Sequence, residues 1–200
     1  MGQVATVKTV LTYGQALGSL LLAGCPPPAL HMVAAQSAVE TAAWKSMHNW
    51  NFGNVTPSPA QVAVGIPWMN QGLSAMKFIS FSDPISGAKA MMGWIQSRGL
   101  LSYAEQGDLS GYVGRLQAGC YLGCVGNTDP VRGVAISQQD YDNYRAGISS
   151  WMAKLSSVTP VPPPFVSSPK LDVLLAVGAA ATVAGVLFAS RLRERLGLLS

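Results

Sequence analysis

The chain has 200 residues, 49% hydrophobic and only 11% charged, with 21 glycines, 13 prolines and a formal net charge of +4. Soluble domains average about 25% charged residues, so a disordered charged tail, a coiled coil and a basic nucleic-acid arm are excluded. What remains is one small domain joined to an apolar segment. Ten basic and seven acidic residues precede position 171, and three and two follow it. No basic run interleaves with aromatics, which argues against nucleic acid as a partner; the mild positive balance suits an anionic polymer.

Near the N-terminus, Leu22-Ala23-Gly24-Cys25 has the form of a lipoprotein processing box, with Lys8 upstream. Tyr13, Gly14, Gln15 and Gly18 interrupt the apolar run such a signal needs. The sequence therefore predicts a domain helix over about residues 4–23, ended by Gly24 and the prolines 26–28. With no secretion signal, delivery across a membrane would need another route, such as a virus particle or a lysis system.

From Pro28 onward, Leu30, Val33, Ala34, Ala38 and Thr41 recur at helical spacing. Residues 54–75, rich in Pro, Gly and Asn, read as loop or a short hairpin. Residues 77–82 alternate as a short strand. Asp83-Pro84 supplies an N-cap and a first-turn proline for a helix to about Ser97. Asp108 or Ser110 starts another, through about Gln117. Ser137 caps a last helix over about 137–154, with Asp140 in its first turn.

Residues 156–169, SSVTPVPPPFVSSP, hold five prolines. Extended at ~3.1 Å per residue, they form a stalk of up to ~40 Å. Residues 173–190 carry no charge. As a helix they rise ~27 Å, enough to cross a bilayer with slight thinning. Arg191, Arg193 and Arg195 follow, which favours a cytoplasmic C-terminus and an extracytoplasmic domain. Gly178, Ala181 and Gly185 would suit helix–helix packing within the membrane, so an oligomer is open. The expected architecture is a mainly α domain with a small β element (1–155), a Pro-rich stalk (156–170), and one C-terminal transmembrane helix with a basic tail (171–200).

Three cysteines exclude a disulfide scaffold. Cys120 and Cys124 form either a small disulfide loop or two buried thiols, and with only two histidines no zinc site is expected. His31 and His48 are too few and too scattered for a metal site or a nucleophilic triad. No cofactor is implied.

Glu40 is the only acidic residue in the first 82 positions. One helical turn either side lie Gln36, Ser37, Ala43 and Trp44, none of them basic. A carboxyl beside small and aromatic neighbours is in the setting that favours its protonated form, as a general acid requires.

The segments Gln36-Ser37-Ala38-Val39-Glu40-Thr41, Lys45-Ser46 and Asn51-Phe52-Gly53-Asn54 follow one another at spacings that resemble the glucosaminidase family of the lysozyme superfamily. In that family a helix ends in an "AQ-ALE-(S/T)-G-GKS" pattern and an "N-(N/L)-FG-(N/I)" turn follows about ten residues later. The stretch MKFISFSDPISGAKAMMGWI resembles the family's strand and following helix. QAGCYLGC resembles its "K-AGYYT" segment, with Tyr121 at the tyrosine position. The resemblance spans about residues 20–153 and implies an α+β lysozyme-like fold acting on peptidoglycan.

The resemblance makes Glu40 the catalytic acid and the NFGN turn the floor of a sugar groove. Asn51 and Asn54 would then meet acetamido and hydroxyl groups. Trp44, Trp50, Phe52 and Trp68 would offer flat faces to sugar rings, and Tyr121 would complete the site. Tyr141 and Tyr144, three apart on a predicted helix, read more simply as one buried stripe.

There are two departures. Ala42-Ala43-Trp44 stands where the family has glycine. No carboxylate occurs between Glu40 and Asp83, whereas a two-carboxylate glycosidase needs a partner ~5–9.5 Å away. Glu105, Asp108 and Asp129 are open candidates, and a single-glutamate mechanism assisted by the substrate is favoured. The expected function is N-acetylglucosaminidase-like cleavage by a membrane-anchored, phage-encoded protein, at infection or lysis. The alternatives are a lytic transglycosylase or muramidase, and a non-catalytic wall-binding or membrane-penetrating virion component.

Overall fold

The computed structural model describes residues 2–70, 77–129 and 133–163. The predicted transmembrane span at 173–190 lies outside the described residues; within them no helix is long and apolar enough to cross a membrane.

The first helix, α1 (Tyr13–Leu22), is half the length expected. Thr12 sets its start through a capping box: its side chain accepts from the Gln15 amide, and the Gln15 side chain accepts from the Thr12 amide. The residues before it are extended rather than helical. Lys8–Thr9 forms β1, antiparallel to β2 (Met47–His48), with Lys8 opposite His48. Asn49 explains why the chain prefers this arrangement. Its side chain accepts from the Val7 amide and donates to the Ala5 carbonyl and the Ser80 hydroxyl. The backbone of a Val-rich segment thus finds partners without a helix.

A 3-10 turn (Pro27–Ala29) leads into α2 (Leu30–Glu40). Every residue from Met32 to Ala38 is buried, so α2 is the central helix and not an amphipathic one on the surface. Its neighbours are α1, α5 (Leu101–Gln106) and α7 (Gln138–Leu155), and it packs along α7 most extensively.

The 54–75 region, expected as loop or hairpin, holds the short helix α3 (Pro59–Ala63), capped by Ser58, and β3 (Trp68–Asn70). β3 pairs antiparallel with β4 (Lys77–Ile79), Met69 opposite Phe78. The helices α4 (Pro84–Ser97) and α6 (Leu109–Ala118) start at the caps the sequence indicates. Asp83 accepts from the Ser86 amide, and Asp108 accepts from the Gly111 amide. In α7, Ser137 and Asp140 complete a capping box. The domain is mainly helical with two small strand pairs among the described residues.

The first part of the expected stalk, residues 156–163, packs with the domain, and the rest lies outside the described residues. Residues as far as Pro163 belong to the domain. Val158 packs on the core, and the Val161 amide donates to the Gly14 carbonyl at 2.9 Å. Gly14 and Gly18 make this docking feasible. A Cβ on Gly14 would lie 2.7 Å from the Thr159 carbonyl oxygen, and one on Gly18 would overlap that of Val161. The bare face of α1 is therefore a groove for the extended, proline-restricted segment.

Candidate functional site around Glu40

Glu40 is the last residue of α2 and is partly exposed. A helix C-terminus does not itself favour an acidic side chain, because the exposed carbonyls there carry partial negative charge. Its partners are tyrosines. The Tyr144 hydroxyl, on α7, donates to Glu40 Oε1 at 2.6 Å, and the Tyr121 phenol stands beside it, near enough to feel the carboxylate charge. Among the described residues, no basic side chain forms an ion pair with it.

The network extends inward by one helical turn. Gln36 accepts from the Tyr112 hydroxyl on α6. Burial first, and then the nearby carboxylate of Glu40, hold the Tyr121 phenol well above its ordinary range. Burial does the same for Tyr144, with Tyr121 and Glu40 adding to it, and Tyr112 is likewise raised by burial. All three stay protonated at neutral pH, and Tyr112 and Tyr144 act as donors.

Tyr121 sits on the turn after α6. Its ring tilts against Tyr144 (centroids 5.9 Å apart) and against Trp94 of α4 (5.1 Å). The turn is closed by a Cys120–Cys124 disulfide, the first of the two alternatives left open by the sequence. Tyr141 braces it as well: its hydroxyl donates to the Gly123 carbonyl and accepts from the Leu122 amide. The third cysteine, Cys25, is a buried free thiol pushed up to about 12, by burial first and then by Glu105.

The NFGN turn does meet the end of α2, though through fewer side chains than expected. Asn54 donates to the Glu40 backbone carbonyl at 3.0 Å. Asn51 is buried and fully committed to holding the turn: it donates to the Val55 and Ile79 carbonyls and accepts from the Val55 amide. Phe52 is wholly in the core. Trp44 has no exposed surface, and its indole N–H donates to the Ser37 hydroxyl, which donates to the Phe52 carbonyl. Burying ~200 Å² of such a ring contributes about 5 kcal/mol at ~25 cal/mol per Å². Asn51, Phe52 and Trp44 therefore build the scaffold and offer no face to a ligand. Trp50 is partly buried, and its carbonyl packs where a Cβ on Gly87 of α4 would sit. Trp68 lies in β3 with the Lys77 ammonium 4.4 Å from its ring centre.

The turn after Glu40 accounts for the departure at 42–44. Ala42, Ala43 and Trp44 all have positive φ, at 47°, 59° and 59°. These are left-handed positions, where glycine is the unstrained residue and an L side chain costs about 1 kcal/mol or more. Four contacts hold the strained turn: Ala43 N–H to the Ala38 carbonyl, Ser46 N–H to the Thr41 carbonyl, Trp44 N–H to the Thr41 hydroxyl, and the Trp44–Ser37 bond above.

Several other carboxylates are engaged elsewhere, and Glu105 is exposed on α5. Asp83, Asp108 and Asp140 cap helices, and Asp142 pairs with Arg145 at 3.1 Å. His48, in β2, is half-buried with an Nδ1 that finds no partner among the described residues. Tyr112 is a residue of this cluster that sequence reading missed, and Tyr144, read there as part of a buried stripe, is the partner of Glu40. Spacing places Gln36 one turn before Glu40, but nothing local announces partners that reach it from α6 and α7.

No protein-family profile matches the sequence, and no curated protein does. Among solved structures, the glycoside hydrolase domain from Salmonella typhimurium FlgJ compares with a TM-score of 0.46 at 14% identity. The alignment covers 86% of this chain and 94% of that one.

Proposed function

We propose that this chain cleaves the glycan strands of peptidoglycan, with Glu40 as the general acid. The observation that carries the reading is the carboxyl itself. It is partly exposed at the end of the central helix, held by the Tyr144 phenol, and forms no ion pair with any described cation. Structural carboxylates are normally paired with a cation or spent on a cap. A carboxyl fixed by a neutral donor, and tied to neither, is positioned for proton transfer to a leaving oxygen. The order and spacing of AQSAVET, KS and NFGN, resembling the glucosaminidases, give the substrate class.

In this mechanism Glu40 protonates the glycosidic oxygen. Tyr144 orients the carboxyl and stabilises the carboxylate left behind by donating a hydrogen bond to it, and Tyr121 packs against Tyr144 and holds it in place. The commitment of Asp83, Asp108, Asp140 and Asp142 to caps and an ion pair favours one carboxylate over two. The displacement is then completed by the substrate's own acetamido group, followed by water, or by its 6-hydroxyl. The first route gives a reducing sugar and the second an anhydro-sugar, as in a lytic transglycosylase.

The apolar stretch at 173–190, followed by three arginines, supports membrane anchorage with the domain outside the cytoplasm. Use by a phage at infection or lysis is part of this proposal.

Mass spectrometry of purified peptidoglycan treated with the full chain tests this. Fragments ending in reducing N-acetylglucosamine support the glucosaminidase form. Fragments ending in anhydro-N-acetylmuramic acid support the transglycosylase form. Intact glycan beside a folded protein contradicts both.

A further inference from the structure

A pocket adjoins the Glu40 site on the far side of Tyr121. It is lined by Trp94 and Arg98 at the end of α4, by Arg115 and Leu116 at the end of α6, and by Gly119 and Tyr121 on the following turn. One residue, Tyr121, forms a wall of this pocket and packs against Tyr144, the donor to Glu40.

Its chemistry is unlike that of the Glu40 cleft. Two guanidinium groups face it, and neither forms an ion pair with any described residue. Arg115 is oriented by its own backbone contact: its Nε donates to the Arg98 carbonyl at 3.0 Å, which leaves both terminal nitrogens unspent. Arg98 lies over the Trp94 ring, 5.5 Å from its centre. Its Nη1 passes 3.5 Å from where a Cβ on Gly119 would be. Proximity to two helix C-termini explains why cations are tolerated here, but that interaction leaves the N–H groups without acceptors. A forked donor matches a carboxylate in the plane, while the Trp94 and Tyr121 faces suit an apolar ring.

We propose that this pocket is a carboxylate-binding subsite for an acidic substituent of the glycan whose cleaved bond lies at Glu40. The inference rests on the glycan-cleaving reading for its substrate class. Two parts of such a glycan carry the carboxylate chemistry: the lactyl group of N-acetylmuramic acid, and the peptide attached to it. A neutral N-acetylglucosamine unit has neither.

The test is an NMR titration of the isotope-labelled full chain in detergent, following the Trp94 indole and Arg115 Nε–H signals. The probes are N-acetylglucosamine, N-acetylmuramic acid and N-acetylmuramyl-L-alanyl-D-isoglutamine. At least one acidic probe is expected to bind about tenfold or more tightly than the neutral one. Arg98→Gln and Arg115→Gln should each bring that probe close to the neutral value; both side chains are exposed, so the fold should survive. Tighter binding of the free sugar acid assigns the lactyl carboxylate, and tighter binding of the peptide-bearing probe assigns the peptide. Equal binding of all three probes, or arginine variants that bind like the parent, overturns the subsite. Glycan cleavage is measured on the same samples. Selective binding without cleavage removes the proposed function and leaves the subsite, whereas cleavage without selectivity does the reverse.

Discussion

The Tyr144 hydroxyl and the Glu40 carboxylate meet at 2.6 Å across 104 residues of sequence. α2 and α7 pack along each other, and the contact joins the C-terminal end of one to the middle of the other. The site is thus a product of helix packing, and its central acid is positioned by an element that folds against it from the opposite end of the domain.

Removal of that hydroxyl should affect chemistry more than folding. Tyr144→Phe keeps the ring against Tyr121 and deletes one charge-assisted bond, worth about 1.5–3 kcal/mol. If the bond strengthens in the transition state, kcat on peptidoglycan should fall roughly 10- to 100-fold with KM little changed. A variant as active as the parent would mean that Tyr144 only packs.

The three raised phenols set a stability limit at alkaline pH. Burial, reinforced by Glu40, holds Tyr112, Tyr121 and Tyr144 above their ordinary value of about 10. A group whose folded pKa is raised contributes stability that is complete below its unfolded pKa and is lost as pH rises through the folded value. The melting temperature should therefore hold through neutral pH and drop steeply above about pH 10. Tyr112→Phe should shallow that drop, which melting curves between pH 7 and 11 would reveal.

The left-handed run after Glu40 can be relaxed. Ala42 is exposed, with φ at 47°. Ala42→Gly removes about 1 kcal/mol of backbone cost, partly offset by greater freedom in the unfolded chain. Calorimetry should show a rise of at most about 2–4 °C. Ala42→Val, which adds β-branching at the same φ, should lower it.

The docking of the proline segment on α1 is open to a proteolytic test. Gly18→Ala places a methyl on the Val161 carbonyl. Residues 158–163 should then become cleavable under conditions where the parent resists. Equal resistance would show that the segment finds another seat or was never protected by α1.

The local signals in the sequence were faithful. Asp83, Asp108 and Ser137 cap the helices expected of them, because a short polar side chain before an apolar run is a local instruction. Glu40 stood out by its isolation, and Tyr121 by motif. The misses were long-range. The strand pairing of residues 8–9 with 47–48 depends on Asn49, about forty residues away, and the expected helix over 4–23 overlooked the capping box at Thr12 that starts it at Tyr13. Trp44, Asn51 and Phe52 carry aromatic and amide chemistry suited to sugars, yet burial decides what a side chain can touch, and composition does not report burial. The first part of the proline stretch read as stalk because its acceptor groove is made by two glycines on α1.

Glu40→Gln provides the most direct measurement of the central account. The amide keeps the size of the side chain and its acceptor oxygen for Tyr144, so the fold should be preserved, but it cannot deliver a proton. Release of soluble glycan fragments from purified peptidoglycan should fall at least about a thousandfold in the full chain carrying this change, with circular dichroism and melting temperature near those of the parent. Fragment release at the parental rate by a folded Glu40→Gln protein would contradict Glu40 as the catalytic acid.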